Sequence, residues 1–250
     1  MANLKPSITI ITVSKDNKSG LLKTLESVLA QGYSDWELII VIGTSQDNSL
    51  ECAEEIAARD SRMSVIRQIS TGIYPAMNEG IKIANGNYLW FMNSGDVFFD
   101  RNSLESGLHW VVSRNCSLII GGYSVLGSAE IYSVPIKKIT MKNFIFTRRG
   151  SCHQSMIFNT SLVKSLDGFD PQWRISADYD LCLKVINIGQ AEWVPQVLST
   201  VESGGITDQN LKFMHIEKHE IRRRNLKKNP LISMISLIWK YAFLLKRNFK

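Results

Sequence analysis

Along the first hundred residues, short unbroken apolar runs alternate with longer stretches whose apolar residues recur every three or four positions. Residues 7–13 (SITIITV) are β-branched and apolar, which suits a strand buried on both faces. The following LLKTLESVLAQ carries Leu21, Leu22, Leu25, Val28 and Leu29 at helical spacing, and Gly32 is its stop. Residues 36–42 (WELIIVI) predict a second buried strand. Asp47 or Ser49 can cap a helix running to Arg59 with Leu50, Ala53, Ile56 and Ala57 inward. Residues 63–66 predict a short third strand. Residues 73–84 predict a third helix, with Ile73, Met77, Ile81 and Ala84 on one face and Gly86 just beyond its end. Residues 88–92 (YLWFM) predict a fourth buried strand. Strict strand–helix alternation implies a parallel sheet with right-handed crossovers.

After residue 100 the rhythm changes. Residues 104–112 have helical spacing; residues 117–125 and 130–134 predict strands that form a hairpin around Gly127. A short strand is expected at 155–158, a turn or two of helix at 160–166, and a helix at 177–188 ended by Gly189. Residues 192–201 predict a last extended segment, interrupted by Pro195. Gly204-Gly205 closes the body, so residues 1–205 are expected to be one domain, with halves at 1–100 and 101–205, and residues 206–250 a helical extension. In that extension residues 208–228 read as a polar, basic helix, broken by Pro230. Residues 231–245 are apolar except for the stripe Ser233, Ser236 and Lys240.

Charge changes the picture of that extension. The chain of 250 residues carries a net +6, yet residues 211–250 hold eleven Lys/Arg against two acids, a local +9 that leaves the first 210 residues at −3. The apolar run is shorter than the ~20 residues a bilayer span needs. A helix lying in the plane of an anionic membrane surface is the reading that uses both features. Docking on the body or on a second copy, and a nucleic-acid tail, are the alternatives. No aromatic–basic interleaving of the kind that stacks bases is present. The N-terminus lacks the pattern of a signal peptide. The four cysteines, Cys52, Cys116, Cys152 and Cys182, include no CxxC pair, which argues against a zinc site and a disulfide scaffold and fits a cytoplasmic setting.

The candidate chemistry sits where strands end. The fourth strand stops at Asn93-Ser94-Gly95-Asp96, a place where open α/β sheets put their ligands. A carboxylate at Asp96 can hold a divalent cation, and through it a diphosphate; a plain turn is the competing reading. Ser14-Lys15-Asp16-Asn17 follows the first strand in place of a Gly-rich phosphate loop, which argues against dinucleotide and P-loop enzymes. ISADYDLCL puts two acids at a helix start. Positions i and i+2 do not share a face, so Asp178 and Asp180 cannot both serve one site. Each is also the acid that a helix N-terminus stabilises, with Ser176 as cap. His153 and Gln154 precede a strand, as structural groups or as substrate contacts.

Five segments in order resemble family 2 glycosyltransferases with the GT-A fold, of the bacterial surface-polysaccharide type. They are SITIITVSKDNKSGLLKTLESVLAQGYSDWELIIV, GIYPAMNEGI, the strand ending in NSGD, CHQSMIF, and GFDPQWRISADYDLCLKV. The resemblance implies an α/β fold, a Rossmann-like and mostly parallel central sheet flanked by helices. It implies an inverting transfer of a sugar from a nucleotide-diphosphate donor to a sugar hydroxyl; the basic, apolar tail adds the expectation of an acceptor saccharide on a polyprenyl diphosphate at the inner face of the cytoplasmic membrane. The resemblance assigns Thr12, Val13 and Ser14 to the nucleotide pocket, with Asn78, Asn93, Ser94, His153 and Gln154 as substrate contacts. Asp96 becomes the ligand of Mg²⁺ or Mn²⁺ and Asp178 the general base. Oligomers are compatible with it, and a nucleic-acid partner is not expected. Three departures stand out: Ile42 where the family often has a base-reading Asp, a single acid in NSGD, and Pro75 in place of the usual Asp. They leave a catalytically degenerate sugar-nucleotide binder as the alternative.

Overall fold

A computed structural model describes residues 7–146, 152–204 and 210–225. Its elements are β1 (Ile8–Ser14), α1 (Lys18–Leu29), β2 (Trp36–Ile42), α2 (Ser49–Ala57), β3 (Met63–Arg67), α3 (Ile73–Ile83) and β4 (Tyr88–Phe91). There follow β5 (Val97–Phe98), α4 (Ser103–Ser113), β6 (Leu118–Val125), β7 (Ile131–Tyr132), β8 (Lys137–Lys138) and α5 (Met141–Phe146). A 3₁₀ turn (His153–Ser155) leads into β9 (Met156–Asn159), α6 (Thr160–Ser165), α7 (Ala177–Ile188), β10 (Ala191–Val201) and α8 (Leu211–Asn225). The apolar run at 231–245 and Gly205, expected to close the body, lie outside the described residues.

One sheet runs β3-β2-β1-β4-β9-β6-β10-β5, with β7 on β6 and β8 on β10. The expected parallel unit is β3-β2-β1-β4. Beyond it β9 enters antiparallel between β4 and β6, and β10 runs parallel to β6. The period-2 alternation of each strand splits the apolar residues between two faces. Ile11, Val13, Leu89 and Phe91 pack under α3, α5 and α7. Ile8, Ile10, Trp90 and Met92 pack under α1, α2 and α4. Each large side chain fully buried this way contributes about 1.5–3 kcal/mol against exposure. α3 lies close on β1 because residue 80 is glycine: a Cβ there would stand 2.8 Å from Ile11 Cγ2.

Two features differ from the sequence expectation. Pro195 does not end the last strand. β10 continues through it with register shifts between Trp193 and Val197, so the missing N–H falls where the ladder is already irregular. The basic helix expected at 208–228 is described over α8, and it has a buried face. It packs on α7, with Ile221 fully buried in the core and Glu217 only 5% exposed.

Candidate active site

The topology gathers the candidate residues at one edge. β4 ends at Phe91, and its antiparallel partner β9 begins at Met156, so the 3₁₀ turn before β9 stands beside the turn after β4. α3 starts at that edge because it follows β3, and α7 starts there because it crosses back to the parallel β10.

The Asn93–Asp96 turn is held by backbone and hydroxyl groups. Thr24, buried on α1, donates to the Asp96 carbonyl at 2.7 Å and accepts from Gly95 N–H at 3.0 Å. Gly95 has φ +100°, and the Glu202 carboxylate lies where a Cβ would be, so a side chain here meets both strain and a clash. The Asn17 amide reaches the Ser94 carbonyl and hydroxyl at 3.4 Å. Asp96 is buried: its Oδ2 accepts from Gln154 Nε2 at 2.6 Å and its Oδ1 from Glu202 N–H at 3.0 Å. Burial raises its carboxyl above the ordinary value, against those two hydrogen bonds and the charge of His153.

The 3₁₀ turn joins the two acids. Trp90 Nε1–H donates to the Gln154 carbonyl at 2.7 Å, which ties the turn to β4. Gln154 reaches Asp96, while the adjacent His153 faces Asp178, with Nδ1 at 3.8 Å from Oδ2. Asn93 Nδ2 lies 3.0 Å from His153 Nε2. Cys152 donates to Gln154 Oε1 at 2.6 Å, and burial pushes its thiol far up, so it is no thiolate.

Asp178 sits in the first turn of α7 with a fifth of its side chain exposed. Burial raises its carboxyl, but the hydrogen bond and charge of His153, then the charge of Lys218, more than offset that, and the net direction is down. Asp178 is therefore an ionised acceptor at neutral pH. Asp180 points elsewhere: it pairs with Lys184 at 2.7 Å and accepts from Asn225 at 3.1 Å. The division expected from helix geometry is the one observed.

The other sequence candidates lie as follows. Thr12 is fully buried and Val13 belongs to the core, so both form the floor of this edge; Ser14 ends β1, its carbonyl accepting from Gly43 N–H at 2.8 Å. Asn78 pairs with one residue, donating to Phe169 O at 2.7 Å and accepting from Phe169 N–H at 2.8 Å, and so anchors the loop before α7. Ile42 is a core residue with no polar group to offer a base.

Four residues were not among the candidates. Tyr74 donates to the Ile175 carbonyl at 2.6 Å and lies 3.3 Å from Asp178 Oδ1. Glu217 accepts from the backbone N–H groups of Arg174, Ile175 and Ser176. Lys218 is desolvated beside Asp178, and burial lowers its ammonium against the pull of that acid. Glu202 touches both Gly95 and Asp96. One signal was legible: in a basic helix, the acid Glu217 stands four residues before the apolar Ile221, which is the spacing of a buried face.

Comparison with known proteins now bears on this geometry. Residues 8–160 match the family Glycosyl transferase family 2, and the chain belongs to it. A PGL/p-HBAD biosynthesis glycosyltransferase of Mycobacterium bovis is 24% identical over 183 residues, 72% of this chain and 69% of that protein. The putative teichuronic acid biosynthesis glycosyltransferase TuaG of Bacillus subtilis is 31% identical over 127 residues, half of each chain. Among solved structures, S. aureus TarS 1-349 in complex with UDP-GlcNAc superposes with a TM-score of 0.72 at 14% identity, covering 88% of this chain and 65% of that one. The mannosyltransferase PcManGT of Pyrobaculum calidifontis, in complex with GDP-Man and Mn²⁺, gives 0.62 at 14% identity, covering 90% and 64%. The chain thus spans just under two thirds of these solved structures, and the likeness to them is one of fold. Asp178 and α8 lie beyond the matched residues 8–160.

Proposed function

We propose that this chain is an inverting glycosyltransferase that moves a sugar from a nucleotide diphosphate to a saccharide hydroxyl in the building of a bacterial surface polysaccharide. The observation that carries the reading is the convergence of Asp96, after β4, and Asp178, on α7, on the adjacent residues Gln154 and His153. Asp178, ionised and oriented, takes the proton from the acceptor hydroxyl as its oxygen forms a bond to the anomeric carbon. The bond to the nucleotide diphosphate breaks on the opposite face, and the diphosphate leaves with the electron pair. A single displacement needs one catalytic carboxylate, and the second acid of the ISADYD helix is accounted for by Lys184 and Asn225. Asn93, Ser94, His153 and Gln154 would contact the donor at the mouth of this edge, with Ser14 beside the nucleotide.

The residues present fit a divalent cation held jointly with the donor. Among the described residues no three His, Cys, Asp or Glu side chains gather into a cage. Mg²⁺ and Mn²⁺ in nucleotide sites use only one or two carboxylates plus substrate phosphates. Asp96 would be the principal ligand, each of its oxygens keeping a lone pair beyond its hydrogen bond, with Glu202 beside it. A bound dication would offset the negative charge that gathers on the leaving diphosphate.

The acceptor is proposed to be lipid-linked and the protein peripheral on the inner face of the cytoplasmic membrane, on the strength of the +9 carried by residues 211–250. No helix among the described residues is long and apolar enough to cross a membrane. The single acid of NSGD and the apolar Ile42 favour a second reading, a sugar-nucleotide binder without catalysis. Incubation with a panel of sugar nucleotides, Mn²⁺ and lipid-linked or soluble acceptors separates the two. Transfer by the wild type that is lost in Asp178→Ala and Asp96→Ala is expected; equal turnover in all three sinks the site, and binding without turnover favours the second reading.

A further inference from the structure

We propose that Glu217 of α8 and Tyr74 of α3 are positioning residues that grip one peptide unit from two sides and thereby aim Asp178. This rests on the reading of Asp178 as the general base. The gripped unit centres on Ile175, three residues before Asp178. Its carbonyl accepts from the Tyr74 hydroxyl at 2.6 Å. The N–H of the same peptide unit, that of Ser176, donates to Glu217 Oε2 at 2.9 Å; the Ile175 N–H, in the preceding unit, donates to the same oxygen at 3.0 Å, and the Arg174 N–H donates to Oε1 at 2.6 Å.

Three features make this more than ordinary packing. A buried carboxylate is costly unless its lone pairs are satisfied, and Glu217 satisfies its own with three main-chain donors of one short segment. Those donors precede the first turn of α7, where the N–H groups have no partners within the helix. Glu217 thus fixes the segment that enters α7 at Ser176, whose own side chain makes no cap bond. The grip also places the next residue, Lys218, where its charge acts on Asp178. Tyr74 closes the other side and stands 3.3 Å from Asp178 Oδ1. A helix start held from above and below keeps its first-turn carboxylate within the small angular error that proton transfer tolerates.

The test uses the full chain in the transfer assay, with kcat and donor KM measured together. Active sites are counted by nucleotide binding stoichiometry. Glu217→Gln keeps the shape but turns one acceptor oxygen into an N–H that faces backbone N–H groups. Tyr74→Phe removes only a hydroxyl. Both are expected to lower kcat per active site about tenfold or more, with donor KM within about twofold because the strand-end residues are untouched. In an Asp178→Asn background Glu217→Gln is expected to cost nothing further, since the group it aims is gone. Wild-type kcat per active site in Tyr74→Phe overturns the proposal, including where Glu217→Gln fails to fold. An equal fractional loss in the Asp178→Asn background also overturns it, since that marks a general structural role. A wild-type protein that transfers no sugar rejects the proposed function instead, which keeps the two failures apart.

Discussion

The edge at the end of β4, proposed to take the donor, and the α7 side of the site are built by different means. At the end of β4, Asn93–Asp96 follows a strand buried on both faces, and its shape is set by main-chain groups tied to Thr24 and Asn17. On the α7 side, Asp178 stands on a helix whose start is held by side chains from α3, α8 and the 3₁₀ turn. The electrostatics diverge accordingly. Burial dominates at Asp96 and raises its carboxyl, whereas His153 and Lys218 outweigh burial at Asp178 and lower it. A carboxylate that shares a cation with a diphosphate gains its counter-charge from the ligand; a base must be ionised before the acceptor arrives.

The largest expected effect is on the α7 side. Asp178→Asn removes the proton acceptor and should lower kcat by about 10²–10⁴, with donor binding preserved in an equilibrium nucleotide titration. Weakened donor binding instead would merge the two regions and break the contrast. Asp96→Asn should lower kcat/KM by about 10² and, unlike Asp178→Asn, should blunt the response to added Mn²⁺ in the same assay. Asp180→Ala should leave turnover per active site within about twofold while destabilising the fold by about 1–3 kcal/mol, since it strands Lys184 and Asn225; urea denaturation reads this directly. The smallest effect is on pH. Asp96 is raised and Asp178 lowered, so acidification protonates the proposed metal ligand Asp96 first. Donor KM should climb at a pH where kcat is still flat, and a kcat limb that falls before KM moves would reverse the assignment.

The same contrast explains what was legible. YLWFM and SITIITV announce their strands because a strand buried on both faces admits little but apolar residues. ISADYD announces a helix start with only one acid per face. Asn93, Asp96, His153, Gln154 and Asp178 were readable as separate short segments, and the structure brings them to one edge. Asn78 was readable as a site residue by resemblance, yet its amide pairs with Phe169. Tyr74 was not readable, and of Glu217 only the spacing to Ile221 was, because an acid in a basic helix and a tyrosine in an amphipathic one are ordinary until their partners are known.

The sequence by itself determined the local elements, the parallel β1–β4 unit and the separation of Asp178 from Asp180, because side-chain period and helix geometry act over a few residues. Only the tertiary structure decided that β9 enters antiparallel beside β4, that α8 closes on α7, and that the Ile175 peptide is held from both sides. Those outcomes depend on partners some 40 to 100 residues away, as the 101 residues between Tyr74 and Ile175 illustrate, and no local pattern encodes which distant donor will meet which acceptor.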